Sequence, residues 1–163
     1  VLPIEVVMYP SKEPVKLTGN LGDVMKESVS IALGYIKSHA KDLKIDEKLF
    51  DSSCIHINAI EGGIPKDGPS AGITMATAMV SAMKKVPVRS DIAMTGEISI
   101  RGKVMPIGGL KEKVLAAKRA GVKKIIIPVE NAPDLEEIPE YGKENIEFVL
   151  AEQMNDVLSN SLV

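Results

Sequence analysis

A serine bracketed by glycines and a lysine set among alanines are the residues of this 163-residue chain best suited to chemistry. Ser70 stands in GGIPKDGPSAGI, Gly62 to Ile73, which approaches two patterns at once. Read as a phosphate-binding loop, Gly63 to Ser70 supply the two glycines and the hydroxyl, but Pro69 stands where the lysine must be and removes one backbone N–H from the cradle. Read as a nucleophile elbow, Gly68 to Gly72 match G-x-S-x-G, yet that scheme places an aspartate and then a histidine after the serine. The two histidines, His39 and His56, both precede it, and S-x-x-K fails because Ile73 occupies the fourth position. A nucleophilic Ser70 therefore takes its base from elsewhere in the chain.

A helical wheel over 110–120 gathers Leu110, Val114, Ala116, Ala117 and Ala120 in one sector, and Lys113 is the one charged residue inside it. Apolar surroundings and a place in the first helical turn both disfavour a cation. A lysine at its free pKa of about 10.4 needs roughly 4 kcal/mol to act as a neutral amine near pH 7.5. Burial moves such a group by up to about 3–5 pH units, which suffices. The competing reading is a lysine whose stem lies along small alanines while its ammonium reaches solvent.

The residues around Ser70 also make a well-formed helix start. Asp67 can cap a helix over 70–83, Pro69 suits its first position, and the unpaired N–H groups there could hold an oxyanion. The same four residues, D-G-P-S, equally describe a helix start with no chemistry. Ser70, Thr74, Thr77 and Ser81 fall on one stripe of that helix, read as packing against backbone.

The elements that must position these residues alternate between strand and helix, so the class is α/β or α+β, in one domain over 1–163 with no repeat or linker. Strands are expected at 1–9, 54–60, 92–96, 123–128 and 146–150, with a hairpin turning at Arg101-Gly102-Lys103. Helices are expected at 20–43, 70–83, 110–120 and 134–138, with a last one from Glu152. Residues 10–16 read as a connector. With 45% hydrophobic residues, 3% aromatic and no tryptophan, the core must be aliphatic.

A net charge of −2 offers nothing to neutralise a nucleic-acid backbone or an anionic membrane, so neither is an expected partner. Cys54 alone supports no disulfide framework or thiolate zinc site, and no metal site is expected. No run approaches 18 apolar residues. His56, on an alternating strand, reads as packed or surface histidine, and the Lys84-Lys85 and Glu136-Glu137 pairs as solvated surface.

PKDGPSAG (65–72), TGEISIRGKVMPIGGLKEK (95–113) and VLAAKRAGVKKIIIP (114–128) together resemble the proteolytic domain of ATP-dependent Lon proteases of the bacterial and mitochondrial type. The likeness extends from LTGNLGDVMKES to DLEEIP. It implies the ribosomal-protein-S5 domain-2-like fold and a Ser-Lys dyad, with Ser70 as nucleophile and Lys113 as general base. It further implies that the Thr95 hydroxyl helps orient the lysine, against the plainer reading of a strand-end hydroxyl bonded to backbone. Asp67 would switch the site between closed and open forms, and Glu97 and Arg101 would serve subunit contacts or loop position. The expected whole is a homo-hexamer that degrades unfolded polypeptides in the bacterial cytoplasm or the mitochondrial matrix. ATP and magnesium would belong to an ATPase module outside this chain, leaving no cofactor in this domain.

Two other classes fit the loop. A small-molecule kinase of the GHMP type would bind nucleotide at 62–72 and leave Lys113 unexplained. A catalytically silent interaction module would keep Ser70 and Lys113 far apart or facing solvent.

Overall fold

Alternating β-branched residues at the amino end pair as expected. The computed structural model describes residues 1–60 and 68–163. Its first half contains β1 (Ile4–Pro10), β2 (Val15–Thr18), α1 (Asp23–Ser38), two single turns, α2 (Ala40–Leu43) and α3 (Leu49–Ser52), and β3 (Ser53–Ala59). β3 is the centre of a three-stranded sheet, antiparallel to β1 from Ile4↔Ala59 to Pro10↔Ser53 and parallel to β2 from Val15↔Ile55 to Thr18↔Asn58.

β2 begins inside the connector expected over 10–16 and runs past it to Thr18. Its four residues pair with a strand some forty positions away, a contact that local pattern does not carry. The helix expected over 20–43 divides at His39. The His39 ring lies against Tyr35, with centroids 4.6 Å apart and Nδ1 2.9 Å from the Tyr35 carbonyl, where it intrudes on the helical ladder.

α4 (Gly72–Lys84) follows, then β4 (Ile92–Met94), the short β5 (Glu97–Ile98) and β6 (Val104–Met105), and α5 (Leu110–Arg119). β5 and β6 form the expected hairpin, Ile98 opposite Val104, turning through Gly102 at φ 89°. β7 (Lys124–Pro128) leads into a 3₁₀ segment, Val129–Glu137, then come α6 (Glu140–Lys143), β8 (Glu147–Ala151) and α7 (Met154–Ser161). β4, β7 and β8 form a parallel sheet in that order, the pattern that helical crossovers produce. The chain is a mixed α/β fold.

The buried side chains fall into two clusters. The larger gathers Val29, Ala32 and Ile36 of α1, Ile55 and Ile57 of β3, Ile73, Met75, Met79 and Val80 of α4, and Met154 and Val157 of α7. The smaller holds Leu110, Val114 and Ala117 of α5 with Ile125, Ile127 and Ile138. Alternation along β7 sends Ile126 to the first cluster and its two neighbours to the second.

Candidate active site

The carbonyl of Ser70 is held from two directions by the segment after β4. Gly96 N–H donates to it at 2.9 Å and the Thr95 hydroxyl at 3.4 Å, while Ile73 N–H donates to the Gly96 carbonyl at 3.1 Å. These bonds explain why α4 starts at Gly72, two residues later than expected. The Ser70 carbonyl serves the neighbouring strand end instead of opening a helical ladder. The N-cap is Ala71, with no side-chain hydrogen bond, and Pro69 lies before the helix. The expectation that Pro69 begins the helix is corrected on that point, and the expected cap, Asp67, lies outside the described residues.

Gly72 permits this grip. A Cβ there would lie 2.9 Å from Ile98 Cγ2 and 3.0 Å from the Ile98 nitrogen, so only glycine lets α4 sit this close to β5. Among the described residues, the N–H groups of Ser70 and Ala71 have no backbone partner.

A cavity of about 690 Å³ opens beside this seat. Ser70, Ala71 and Thr74 form one wall, and Glu112, Lys113, Ala116 and Ala117 of α5 form another. Met94 and Thr95 line it from the strand between, and Leu2, Ile4 and Met25 close it with apolar side chains. Lys113 is half-buried there, and burial holds its pKa below the ordinary lysine value. No carboxylate among the described residues pairs with it. Glu112, which is exposed, is the other charged side chain on the cavity walls among the described residues. Ala116 and Ala117 line the cavity as the wheel implied, but Ala120 is exposed at the far end of the helix.

A lysine with no counter-ion among the described residues, in one cavity with a serine just before a helix, is the arrangement the two motifs point to. A family described as the Lon protease (S16) C-terminal proteolytic domain matches residues 1–163. The chain belongs to that Lon family. A Lon protease of Bacillus thuringiensis (strain Al Hakam) is 56% identical over 162 residues, covering 99% of this chain and 20% of its own length. Lon protease 1 of Syntrophobacter fumaroxidans is 56% identical over 163 residues, and the Lon protease of Rhizobium meliloti 53% over 162. These cover 100% and 99% of this chain and 20% of each relative, so the chain spans about one fifth of the length of the curated relatives it matches.

In this Lon domain the other expected residues fall into three places. Thr95 is buried, and its hydroxyl is bonded to backbone, the plainer of its two readings, though the backbone is that of Ser70. Glu97 lies on β5. Arg101, at the hairpin turn, lines a separate small cavity of about 150 Å³ with Tyr35, His39 and Asp42. Thr77 and Ser81 bond to backbone as the stripe implied, to Ile73 and Val86 carbonyls, whereas Thr74 faces the cavity.

His56 is neither isolated nor near the Lon cavity. Its ring nitrogens lie 3.1 Å from the Tyr9 hydroxyl and 3.1 Å from the Thr18 hydroxyl, on the sheet β1-β3-β2. Among the described residues no group of three His, Cys, Asp or Glu could hold a metal, and no helix is long and apolar enough to cross a membrane.

Sequence reasoning missed the buried Asn131, in the 3₁₀ segment after β7. Its one signal was an amide between Pro128 and Pro133, directly after a buried strand.

Proposed function

We propose that this chain is a serine endopeptidase in which Ser70 is the nucleophile and Lys113 its general base. The observation that carries this reading is the shared cavity: the two side chains line it together, and the lysine is half-buried, unpaired among the described residues and lowered in pKa by burial.

The neutral Lys113 amine takes the proton from Ser70 Oγ as that oxygen attacks a peptide carbonyl carbon. The developing oxyanion lies against the N–H groups at the start of α4, which await a partner. The resulting ammonium returns the proton to the leaving amine as the C–N bond breaks. Lys113 then deprotonates a water that attacks the ester, and the serine proton is restored as the carboxylic product departs. Thr95, bonded to the Ser70 carbonyl, holds the nucleophile's backbone; a role in orienting the lysine rests on the family likeness, as does a switching role for Asp67.

The cavity, lined largely by apolar side chains, suits an unfolded segment better than a folded surface. The described residues do not fit a nucleotide: α4 carries no basic residue until Lys84, at its far end. Dependence on ATP and magnesium, and assembly as a hexamer, therefore belong to the longer polypeptide proposed to contain this domain. Single-domain organisation over 1–163 and a bacterial cytoplasmic or mitochondrial matrix location belong to the same proposal.

The test is hydrolysis of a quenched-fluorescent unstructured peptide across about pH 6–10 by the parent, Ser70→Ala and Lys113→Ala. Loss of cleavage by about 10³-fold or more in both variants is expected, with a rate that rises with pH as Lys113 becomes neutral. Cleavage that survives Ser70→Ala would remove the serine from the mechanism.

A further inference from the structure

α5 presents Lys113 four residues after its N-cap, yet nothing in the helix fixes its own start. The N-cap is Gly109, in the left-handed region at φ 70°, with no side-chain cap. The connection from β6 is Pro106-Ile107-Gly108-Gly109, and a Cβ at Gly108 would meet nothing within 4 Å. Two glycines in such open surroundings make a loose joint unless something outside the loop holds it.

Asn131 supplies that hold. Its Oδ1 accepts from Ile107 N–H at 2.9 Å and its Nδ2 donates to the Ile107 carbonyl at 2.9 Å, the pairing a neighbouring strand would give. Two bonds to the same residue fix both its position and its rotation, as one bond would not. The second Nδ2 hydrogen goes to Asp134 Oδ2 at 2.7 Å. A carboxylate only accepts, so Asp134 dictates which end of the amide faces Ile107. Asn131 is 3% exposed, where an unmatched amide is costly, and every bond it offers the loop is matched. Ile107 itself packs on the smaller cluster, beside Leu110 and Val114.

We propose that Asn131, oriented by Asp134, is a positioning residue for Lys113: it clamps Ile107 and thereby sets where α5 begins and how its first turn faces Ser70. The inference rests on the Ser-Lys reading above and adds to it a part that touches neither serine nor substrate. The two bonds act on one peptide six residues before the lysine, and the helix transmits that placement as a rigid unit.

The test compares the parent chain with Asn131→Ala and Asp134→Asn, the second keeping the shape of the carboxylate while freeing the amide to turn over. Two readouts are taken: the pH–rate profile of peptide cleavage, and competitive labelling of Lys113 by trace acetic anhydride, read by mass spectrometry against the exposed Lys111 and Lys123. Expected for both variants is a kcat lowered about tenfold at pH 7.5 with KM within about twofold, the rising limb displaced upward by about one pH unit. The labelling curve of Lys113 moves by the same amount towards those of Lys111 and Lys123. A role in stability alone would lower the melting temperature and leave both curves where the parent has them; that result overturns the proposal. If Asn131→Ala does not fold, Asp134→Asn decides by the same criteria, and if no variant cleaves, the labelling curves decide alone. Failure of the dyad reading is separate, since it shows as cleavage that survives Lys113→Ala.

Discussion

The two helices that carry Ser70 and Lys113 are mounted in different ways. α4 is buried on nearly every side, with Ile73, Met75, Ala76, Met79 and Val80 in the larger cluster. α5 buries only Leu110, Val114 and Ala117; Lys113 and Ala116 face the cavity, Leu115 lies against Gly142 of α6, and Lys111, Arg119 and Ala120 at its ends are exposed. The serine thus sits at the edge of a core that many elements share, whereas the lysine depends on one helical face and on the loop that starts it. In the proposed dyad, a serine fixed by packing and a lysine fixed by a local clamp leave the lysine's mount as the softer of the two.

The strongest way to break that contrast is to weaken each mount separately. Met79→Ala removes a fully buried side chain from the larger core and is expected to cost about 2–5 kcal/mol. Val114→Ala, in the smaller cluster, is expected to cost about 1–2 kcal/mol. Chemical denaturation gives both values, and cleavage measured well below each transition separates their effects. Met79→Ala should leave the rising pH limb in place, while Val114→Ala, by admitting water beside Lys113, should move it upward. Equal displacement in both would mean that the two mounts are not distinct.

Gly72→Ala tests the serine's seat at a smaller cost. Its Cβ must displace Ile98, backbone included, for an expected loss of about 1–3 kcal/mol. Cleavage should fall with the pH limb unmoved, because the serine shifts and the lysine does not. A pH profile that moves would contradict the separation.

The smallest effect sharpens the account of the lysine. Its pKa is lowered by burial, so the unfolded chain binds more protons than the folded chain between the folded and unfolded values. Stability therefore rises with pH across that window, and below it the half-buried ammonium is a standing cost. Lys113→Met should remove that cost and raise the melting temperature at neutral pH by about 1–3 °C while abolishing cleavage. A lower melting temperature would mean that the charge is better accommodated than its surroundings suggest.

Much of this was legible in the chain because α4 and α5 announce themselves by period. The wheel placed Lys113 among Ala116 and Ala117 without any contact being known, and the hairpin turn at Gly102 followed from its residues. What local pattern could not carry was partnership across the fold. β2 exists because β3 lies beside it, and α4 starts late because Gly96 takes the Ser70 carbonyl. The division at His39 comes from a ring set against Tyr35, and the 3₁₀ geometry of Val129–Glu137 follows a proline inside the segment. Asn131 was invisible for the same reason, since its two bonds reach back 24 residues.

The order of strands has one more consequence, for a chain made from its amino end. β1, β2 and β3 pair only among themselves within residues 4–59, so this sheet can form while the rest is still being synthesised. The smaller cluster, by contrast, draws on Ile125, Ile127 and Ile138, and the parallel sheet closes only with Glu147–Ala151. α4 itself is covered in part by α7, which ends at Ser161. The segment that carries Ser70 is therefore made before the one that carries Lys113, and the helix that completes the cover of α4 follows both.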